Sequence, residues 1–417
     1  MASSPLNSVS VRNYALVTAA YWGFTITDGA LRMLVLLYFH TLGYTPFEVA
    51  MLFLFYEIFG VVTNLLGGWI GSQFGVKLTL YGGIGLQVAA LLMLTPVSDT
   101  WAIALAVPYV MVAQAVSGIA KDLTKMSSKS AIRLVIPQEA QSALFKWVAI
   151  LTGSKNALKG VGFFLGGLLL SRFGYVNALL IMAGALLLVL CSSPWLPVGM
   201  GKIKAKVKFR QLFSKSPEIN SLSAARFFLF GARDVWFVVG LPVFLYGTLN
   251  WRFEQVGGFM ALWVIGYGIV QSAAPALLKR FGSGKPPQAG TIRFWTSLLT
   301  AIPAAIAIAL QLGRPAGQTI IVGLMIFGVI FAFNSAVHSY LVLAYTEDDN
   351  VALNVGFYYM ANAGGRLAGT VLSGLIFQTF GLVGCLWTST GFVLLAALVT
   401  LTLPNPKSGA AIAWQSK

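Results

Sequence analysis

Cysteine and histidine are scarce in this chain, two of each in 417 residues, which leaves little material for a disulfide framework or a metal centre. Cys191 and Cys385 sit in separate apolar runs with no Cys or His at ligand spacing, so they read as packing residues. No thiolate trap for a soft metal, no metal site and no cofactor is expected. Charge is equally sparse. Only 10% of residues are charged and only 12 are acidic, against 57% hydrophobic and a mean hydropathy of +0.80. That composition has too little polar surface for a soluble protein of this length, so the bilayer is its solvent. A ten-residue alternation of apolar and polar positions is also missing. A membrane β-barrel is thereby excluded, and helices are left as the way to satisfy the backbone in lipid.

Apolar runs are what the chain has in quantity. Crossing about 30 Å of hydrocarbon takes about 20 residues of helix, and twelve stretches serve: 14–39, 46–72, 76–97, 101–124, 144–171, 175–197, 219–247, 254–280, 289–312, 317–345, 351–379 and 382–403. The segment before the first is short and polar with no cleavage-site pattern, so no removable signal peptide is expected. Lys77, Lys125, Lys129, Arg133, the basic run Lys202 to Lys215, and Lys279, Arg280 and Lys285 all fall on one side of these spans. Cytoplasmic loops collect such residues, which places both termini in the cytoplasm and makes the net charge of +16 a matter of topology rather than a nucleic-acid footprint.

The chain also matches itself at an offset near 206. Asp28 falls on Asp234 and Phe47-Glu48 on Phe253-Glu254 at 206, and Lys159 falls on Arg366 at 207. Phe-Gly closes an apolar run at Phe74-Gly75, Phe173-Gly174, Phe281-Gly282 and Phe380-Gly381, with intervals of 99, 108 and 99. Four units each long enough for three spans are what a secondary transporter built of nested repeats shows. The expected fold is therefore an all-α membrane protein of twelve transmembrane helices in two six-helix halves, each of two inverted three-helix repeats. The N-terminal bundle is expected over residues 1–197, a cytoplasmic basic linker over 198–218, and the C-terminal bundle over 219–417.

Charges within the spans mark the polar pathway, because a charge at mid-bilayer costs about 2.5 to 3.5 kcal/mol and calls for a partner or water. Seven embedded cations, Arg32, Lys121, Lys155, Lys159, Arg226, Arg233 and Arg366, face four acids, Asp28, Glu57, Asp122 and Asp234. The excess points to an anionic solute with more than one charge. Asp28 and Arg32, four apart, are able to pair on one helix face or to separate into a countercharge and an anion contact. Lys155 and Lys159 stack on one face and need an anion, whether a protein carboxylate or the solute. Arg233 and Asp234 are adjacent and are expected to find partners on other helices. Tyr358, Tyr359, Asn362, His338, Asn334 and Trp22 are candidate contacts, though each alone is more often a packing residue. The expected solute site is Arg32, Lys121, Lys155, Lys159, Arg233, Arg366, Asn362 and Tyr358, and the acids Asp28, Asp122, Asp234 and Glu57 serve coupling or charge pairing.

The Gly…Phe-Gly turns resemble the signature of the major facilitator superfamily, read here as Gly68-Trp-Ile-Gly-Ser-Gln-Phe-Gly-Val-Lys77. Ser72 and Gln73 stand where that family carries an acid and an arginine, which puts its gating ion pair in doubt. The strings Tyr21 to Leu37, Gly118 to Lys129 and Gly153 to Gly162 are similar to the organoarsenical efflux permease (ArsJ) family, over nearly the whole chain. That resemblance implies alternating-access export of 1-arseno-3-phosphoglycerate, the product of a glyceraldehyde-3-phosphate dehydrogenase acting with arsenate, from a bacterial cell across its inner membrane. Arsenate resistance and proton antiport are the corresponding expectations. An organophosphate or other organic-anion exchanger or importer is the alternative of the same fold. A membrane enzyme would need a nucleophile or metal constellation near one interface, and none is apparent, so no catalysis is expected.

Overall fold

Long apolar runs with glycine and few breakers dictate helix, since the helix satisfies every backbone group within its own segment. The structure is a computed structural model, and it describes residues 8–135, 141–196, 216–281, 287–345 and 351–405. Its helices are α1 (Ser8–Thr41), α2 (Pro46–Leu52), α3 (Leu54–Leu94), α4 (Ile103–Val135), α5 (Gln141–Leu190), α6 (Pro217–Phe237), α7 (Gly240–Val243), α8 (Phe253–Phe281), α9 (Ala289–Gln311), α10 (Ala316–Ala344) and α11 (Val351–Thr400). The repeated Phe47-Glu48 and Phe253-Glu254 acquire a local reason. Each opens a helix with a carboxylate in its first turn, where the amide ends of the helix attract it. At the first of them Thr45 and Glu48 form a reciprocal capping box around Pro46.

Twelve separate spans in two six-helix halves are not what the structure gives. Nine segments among the described residues are long and apolar enough to cross a bilayer. The first expected span is helical but falls outside that set, because Asp28 and Arg32 lie in the middle of α1 and dilute its hydropathy. The fifth and sixth expected spans run together as Ser154–Leu190, and the eleventh and twelfth as Asn354–Thr400. Within these long segments the break comes at a single residue, Gly174 (φ 74°) or Gly381 (φ 62°), and α3 breaks likewise at Gly75 (φ 75°). These are three of the four Phe-Gly positions, and glycine alone adopts that left-handed conformation without cost. The fourth, Gly282, lies outside the described residues, as do 198–215 of the expected linker. The side chains of Ser72, Gln73, Lys129 and Arg133 are likewise outside what is described.

Two compact units emerge, and neither is a continuous stretch. Unit 1 comprises residues 1–38, 62–207 and 253–261; unit 2 comprises 39–61, 208–252 and 262–417. Within unit 1, the start of α8 lies across α5: a methyl on Gly167 would come within 2.5 Å of the Phe253 carbonyl oxygen, and Ser171 donates to Glu254 at 2.5 Å. Within unit 2, α2 lies across α11, where a methyl on Gly374 would come within 2.5 Å of the Pro46 carbonyl oxygen, and the Phe47 amide donates to Gln378 at 3.2 Å. Gly167 and Gly374 are themselves 207 apart. The outward faces are apolar, with Leu188, Leu262, Phe294 and Leu312 among the exposed large side chains, while Trp236, packed edge-on to Trp263 and Phe327, anchors the interior of unit 2. A bilayer-spanning protein turns its hydrocarbon outward in this way.

Candidate ion-pair sites in the two units

Close crossing of helices decides where the embedded charges meet. In unit 1, α1 and α5 touch at glycine: a methyl on Gly29 would lie 2.7 Å from the Lys159 carbonyl oxygen, and one on Gly162 would strike the Ile26 carbonyl. With backbones that close, Lys159 Nζ reaches to 4.0 Å of the Asp28 carboxylate. In unit 2, α6 and α11 cross in the same manner, where a methyl on Gly369 would lie 2.8 Å from both the Gly231 carbonyl oxygen and Asp234 Cβ. There Arg366 Nε donates to Asp234 Oδ2 at 3.3 Å. The offsets of 206 and 207 thus superpose one acid-base pair on another, and the glycines beneath them, Gly162 and Gly369, share the offset of 207.

The pair in unit 2 is the more elaborate. Arg366 Nη2 also donates to Glu57 Oε1 at 2.6 Å, so one guanidinium spans two carboxylates that are each only 1% exposed. The planar fork of arginine permits this, where an ammonium would act as a point charge. Asp234 serves a second arginine, since Arg233 Nε donates to its Oδ1 at 2.6 Å and Nη2 approaches the same oxygen at 2.5 Å. This corrects the expectation that adjacent residues would look elsewhere for partners. The arginine side chain is long enough to fold back onto its neighbour, and the rings of Phe230, Phe237 and Phe331 flank its guanidinium at 4.9, 5.8 and 5.6 Å.

Unit 1 holds a second acid, Asp122 of α4. Its carboxylate accepts from Thr63 Oγ1 at 2.5 Å and lies 3.5 Å from Lys125 Nζ. The charges of Lys121, Lys125 and Lys155 all act on it. Arg32 is half-buried one helical turn beyond Asp28, and Lys159 also lies 5.8 Å from the Phe163 ring centroid. Trp22 donates to Ser154 at 3.0 Å, which fastens α1 to α5 just before the paired lysines.

Asn362 and Tyr358, expected beside the other contacts, instead gather around Arg226 in unit 2. Arg226 Nε donates to Asn362 Oδ1 at 2.9 Å, and its guanidinium carbon lies 5.1 Å from the Tyr358 ring centroid. Arg233 and Arg366 group with Asp234 and Glu57, while Lys159 groups with Asp28, and Lys121 and Lys155 with Asp122. Two participants escaped the sequence reading. Thr63 and Ser335 are single hydroxyls in apolar runs, and nothing in their spacing distinguishes them from helix-packing residues.

The family profile of the Major Facilitator Superfamily matches residues 16–310. Among solved structures the chain is similar to the nucleoside transporter NupG, with a TM-score of 0.72 at 14% identity, covering 95% of this chain and 100% of that one. It is also similar to a bacterial homologue of the iron transporter ferroportin in an inward-facing state, with a TM-score of 0.67 at 15% identity, covering 98% and 99%. At such identities the likeness is one of fold. No curated protein matches. Transport across a membrane by alternating access, without catalysis, is what this class of helical protein does, and the chain belongs to the Major Facilitator Superfamily.

Proposed function

We propose that the chain is an efflux permease that carries an organoarsenical anion, 1-arseno-3-phosphoglycerate, out of the bacterial cytoplasm across the inner membrane, in a proton-coupled cycle that confers arsenate resistance. The observation that supports this reading is the cationic excess in each unit. Arg32, Lys121, Lys125, Lys155 and Lys159 stand against Asp28 and Asp122 in unit 1; Arg226, Arg233 and Arg366 stand against Glu57 and Asp234 in unit 2. Surplus embedded cations are stabilised by an anion, and a solute bearing both a phosphate and an acyl-arsenate carries more than one negative charge. The resemblance over Tyr21 to Leu37, Gly118 to Lys129 and Gly153 to Gly162 supplies the identity of that solute. A glyceraldehyde-3-phosphate dehydrogenase is then the functional partner that makes it.

Coupling follows from competition. An anion that draws Arg366 away takes one countercharge from Glu57 and leaves Asp234 to Arg233, and that loss favours protonation of the acids. Asp28 and Asp122 stand in the same relation to Lys159 and Lys125. With both termini cytoplasmic, the inside-negative potential favours outward movement of net negative charge by about 2.3 kcal/mol per charge per 100 mV. On this account protons are taken up as the anion binds, unlike the exchange expected of an antiporter, and each proton carried out with the solute cancels one of the negative charges on which the potential acts.

Growth tests the substrate. Cells expressing the protein should resist arsenate only when the dehydrogenase is present, lose that resistance with Arg366→Ala, and gain none against arsenite. Arsenate resistance independent of the dehydrogenase would remove the organoarsenical reading. Coupling is read in everted vesicles supplied with the dehydrogenase product. Asp234→Asn and Asp28→Asn should each weaken the dependence of flux on an imposed pH gradient, and an unchanged dependence in both would take the proton away from these two residues.

A further inference from the structure

Eight residues before Asp234 on α6, about 12 Å along the helix axis, unit 2 buries another cation. Arg226 is 5% exposed. Its guanidinium lies over Phe230 at 3.9 Å and is held by Asn362 through Nε at 2.9 Å and by Ser335 through Nη1 at 3.2 Å. Among the described residues Nη2 makes no hydrogen bond, and no carboxylate comes within salt-bridge reach of this arginine. A charge so enclosed and left without a counter-ion is strongly unfavourable.

The surroundings supply donors where the charge asks for acceptors. Ser335 Oγ receives Tyr267 Oη at 3.2 Å and Gln271 Nε2 at 3.0 Å besides Arg226, three donors on an oxygen with two lone pairs. His338 of α10 and Tyr358 of α11 are both fully buried, with ring centroids 6.5 Å apart. Among the described residues neither ring nitrogen of His338 and not the Tyr358 hydroxyl has a hydrogen-bond partner. A buried water would satisfy the phenol and one ring nitrogen yet leave the positive charge unanswered. One ligand answers all three.

We propose that Arg226, His338 and Tyr358 form an oxyanion subsite that takes one phosphate-like group of an anionic solute. The unpartnered donors belong to three elements, α6, α10 and α11, packed about one guanidinium, which suits a tetrahedral oxyanion better than the two in-plane oxygens of a carboxylate. The arginine edge gives the charge-assisted contact, and the rings of Phe230 and Tyr358 hold its plane. The inference rests on the proposed function only in taking the solute to be an anion.

The test uses the purified full-length protein, with thermal stability followed against inorganic phosphate, acetate and 3-phosphoglycerate at constant chloride. Phosphate and 3-phosphoglycerate should stabilise the wild type, and acetate should do so less. Arg226→Met should raise stability in the absence of phosphate, because it removes an uncompensated charge, and should abolish the response to phosphate. Tyr358→Phe keeps the ring and removes one donor, and should weaken apparent phosphate affinity by about tenfold, as loss of a hydrogen bond to a charged group does. Arg172→Met, which removes an exposed cation of unit 1, should retain the phosphate response, so that loss of positive charge in general is not what abolishes it. A wild type that ignores both phosphate compounds overturns the subsite, as does an Arg226→Met variant that responds normally. Phosphate binding lost in Arg226→Met upholds the subsite even where cells show no dehydrogenase-dependent arsenate resistance. Full resistance in cells carrying Arg226→Met overturns the subsite while leaving the proposed function intact.

Discussion

Asp28 with Lys159 in unit 1 and Asp234 with Arg366 in unit 2 are the same pair at two places in the chain, yet they differ in grip. The first is a lysine at 4.0 Å from one carboxylate. The second is an arginine fixed at 2.6 and 3.3 Å to two carboxylates, one of which is itself held by Arg233. A flexible ammonium at the edge of contact exchanges partners at small cost, whereas a bidentate guanidinium must lose two charge-assisted bonds before it moves. Matching glycine crossings fix the positions of both pairs, so their difference is one of chemistry and not of backbone. Under the proposed function, unit 1 is expected to hold the pair that yields to an anion readily, and unit 2 the pair whose release limits the cycle.

The largest expected asymmetry comes from deleting each base. Arg366→Ala takes the bridging guanidinium from Glu57 and leaves Asp234 to Arg233 alone, and breaking a buried pair costs about 3 to 5 kcal/mol. Lys159→Ala should cost far less stability, because its partner is only loosely held, while still removing export. Denaturation in detergent alongside vesicle transport checks both, and equal destabilisation of the two variants would erase the proposed difference in grip.

Widening the crossings should have a smaller effect. Gly162→Ala and Gly369→Ala each place a methyl against backbone atoms of the facing helix, an overpacking that costs about 1 to 3 kcal/mol. Both should lower thermal stability and transport together. A tolerant Gly369 would show that the Asp234 pair does not depend on close helix approach.

Exchanging the bases gives the finest discrimination. Arg366→Lys should lower transport about tenfold, the scale of one lost charge-assisted bond, whereas Lys159→Arg should retain most of it. Initial rates of uptake into everted vesicles read this directly. Comparable losses in the two variants would mean that both positions need the guanidinium, and the asymmetry would fall.

The embedded charges themselves were legible in the sequence. A charge inside an apolar run is conspicuous, and the self-offset placed Asp28 over Asp234 and Lys159 over Arg366. What the offset did not disclose was which acid each base would choose. Glu57 is 309 residues from Arg366, and the position 206 residues after it is Trp263 rather than an acid, so the repeat does not betray it. The adjacent Arg233 and Asp234 were misjudged for a different reason: helix geometry separates their backbones but does not bound the reach of an arginine side chain. The number of spans failed at the glycines. Hydropathy sees two apolar stretches around Gly174 or Gly381, and one residue of positive φ joins them without a loop.

Composition and pattern by themselves determined that this chain lives in a bilayer as helices, that cations outnumber acids within its spans, and that its charges recur at one interval. Those properties follow from solvent and from covalent order, which every residue carries wherever it lies. Tertiary structure alone decided that Arg366 would bridge two carboxylates, that Lys159 would come to 4.0 Å of Asp28, and that Arg226 would be enclosed among aromatic rings and donors with no acid in reach among the described residues. Such choices depend on distances of a few ångströms between helices far apart in sequence, set by where glycine lets two backbones touch, and the Coulomb energies that rank them vary steeply over that range.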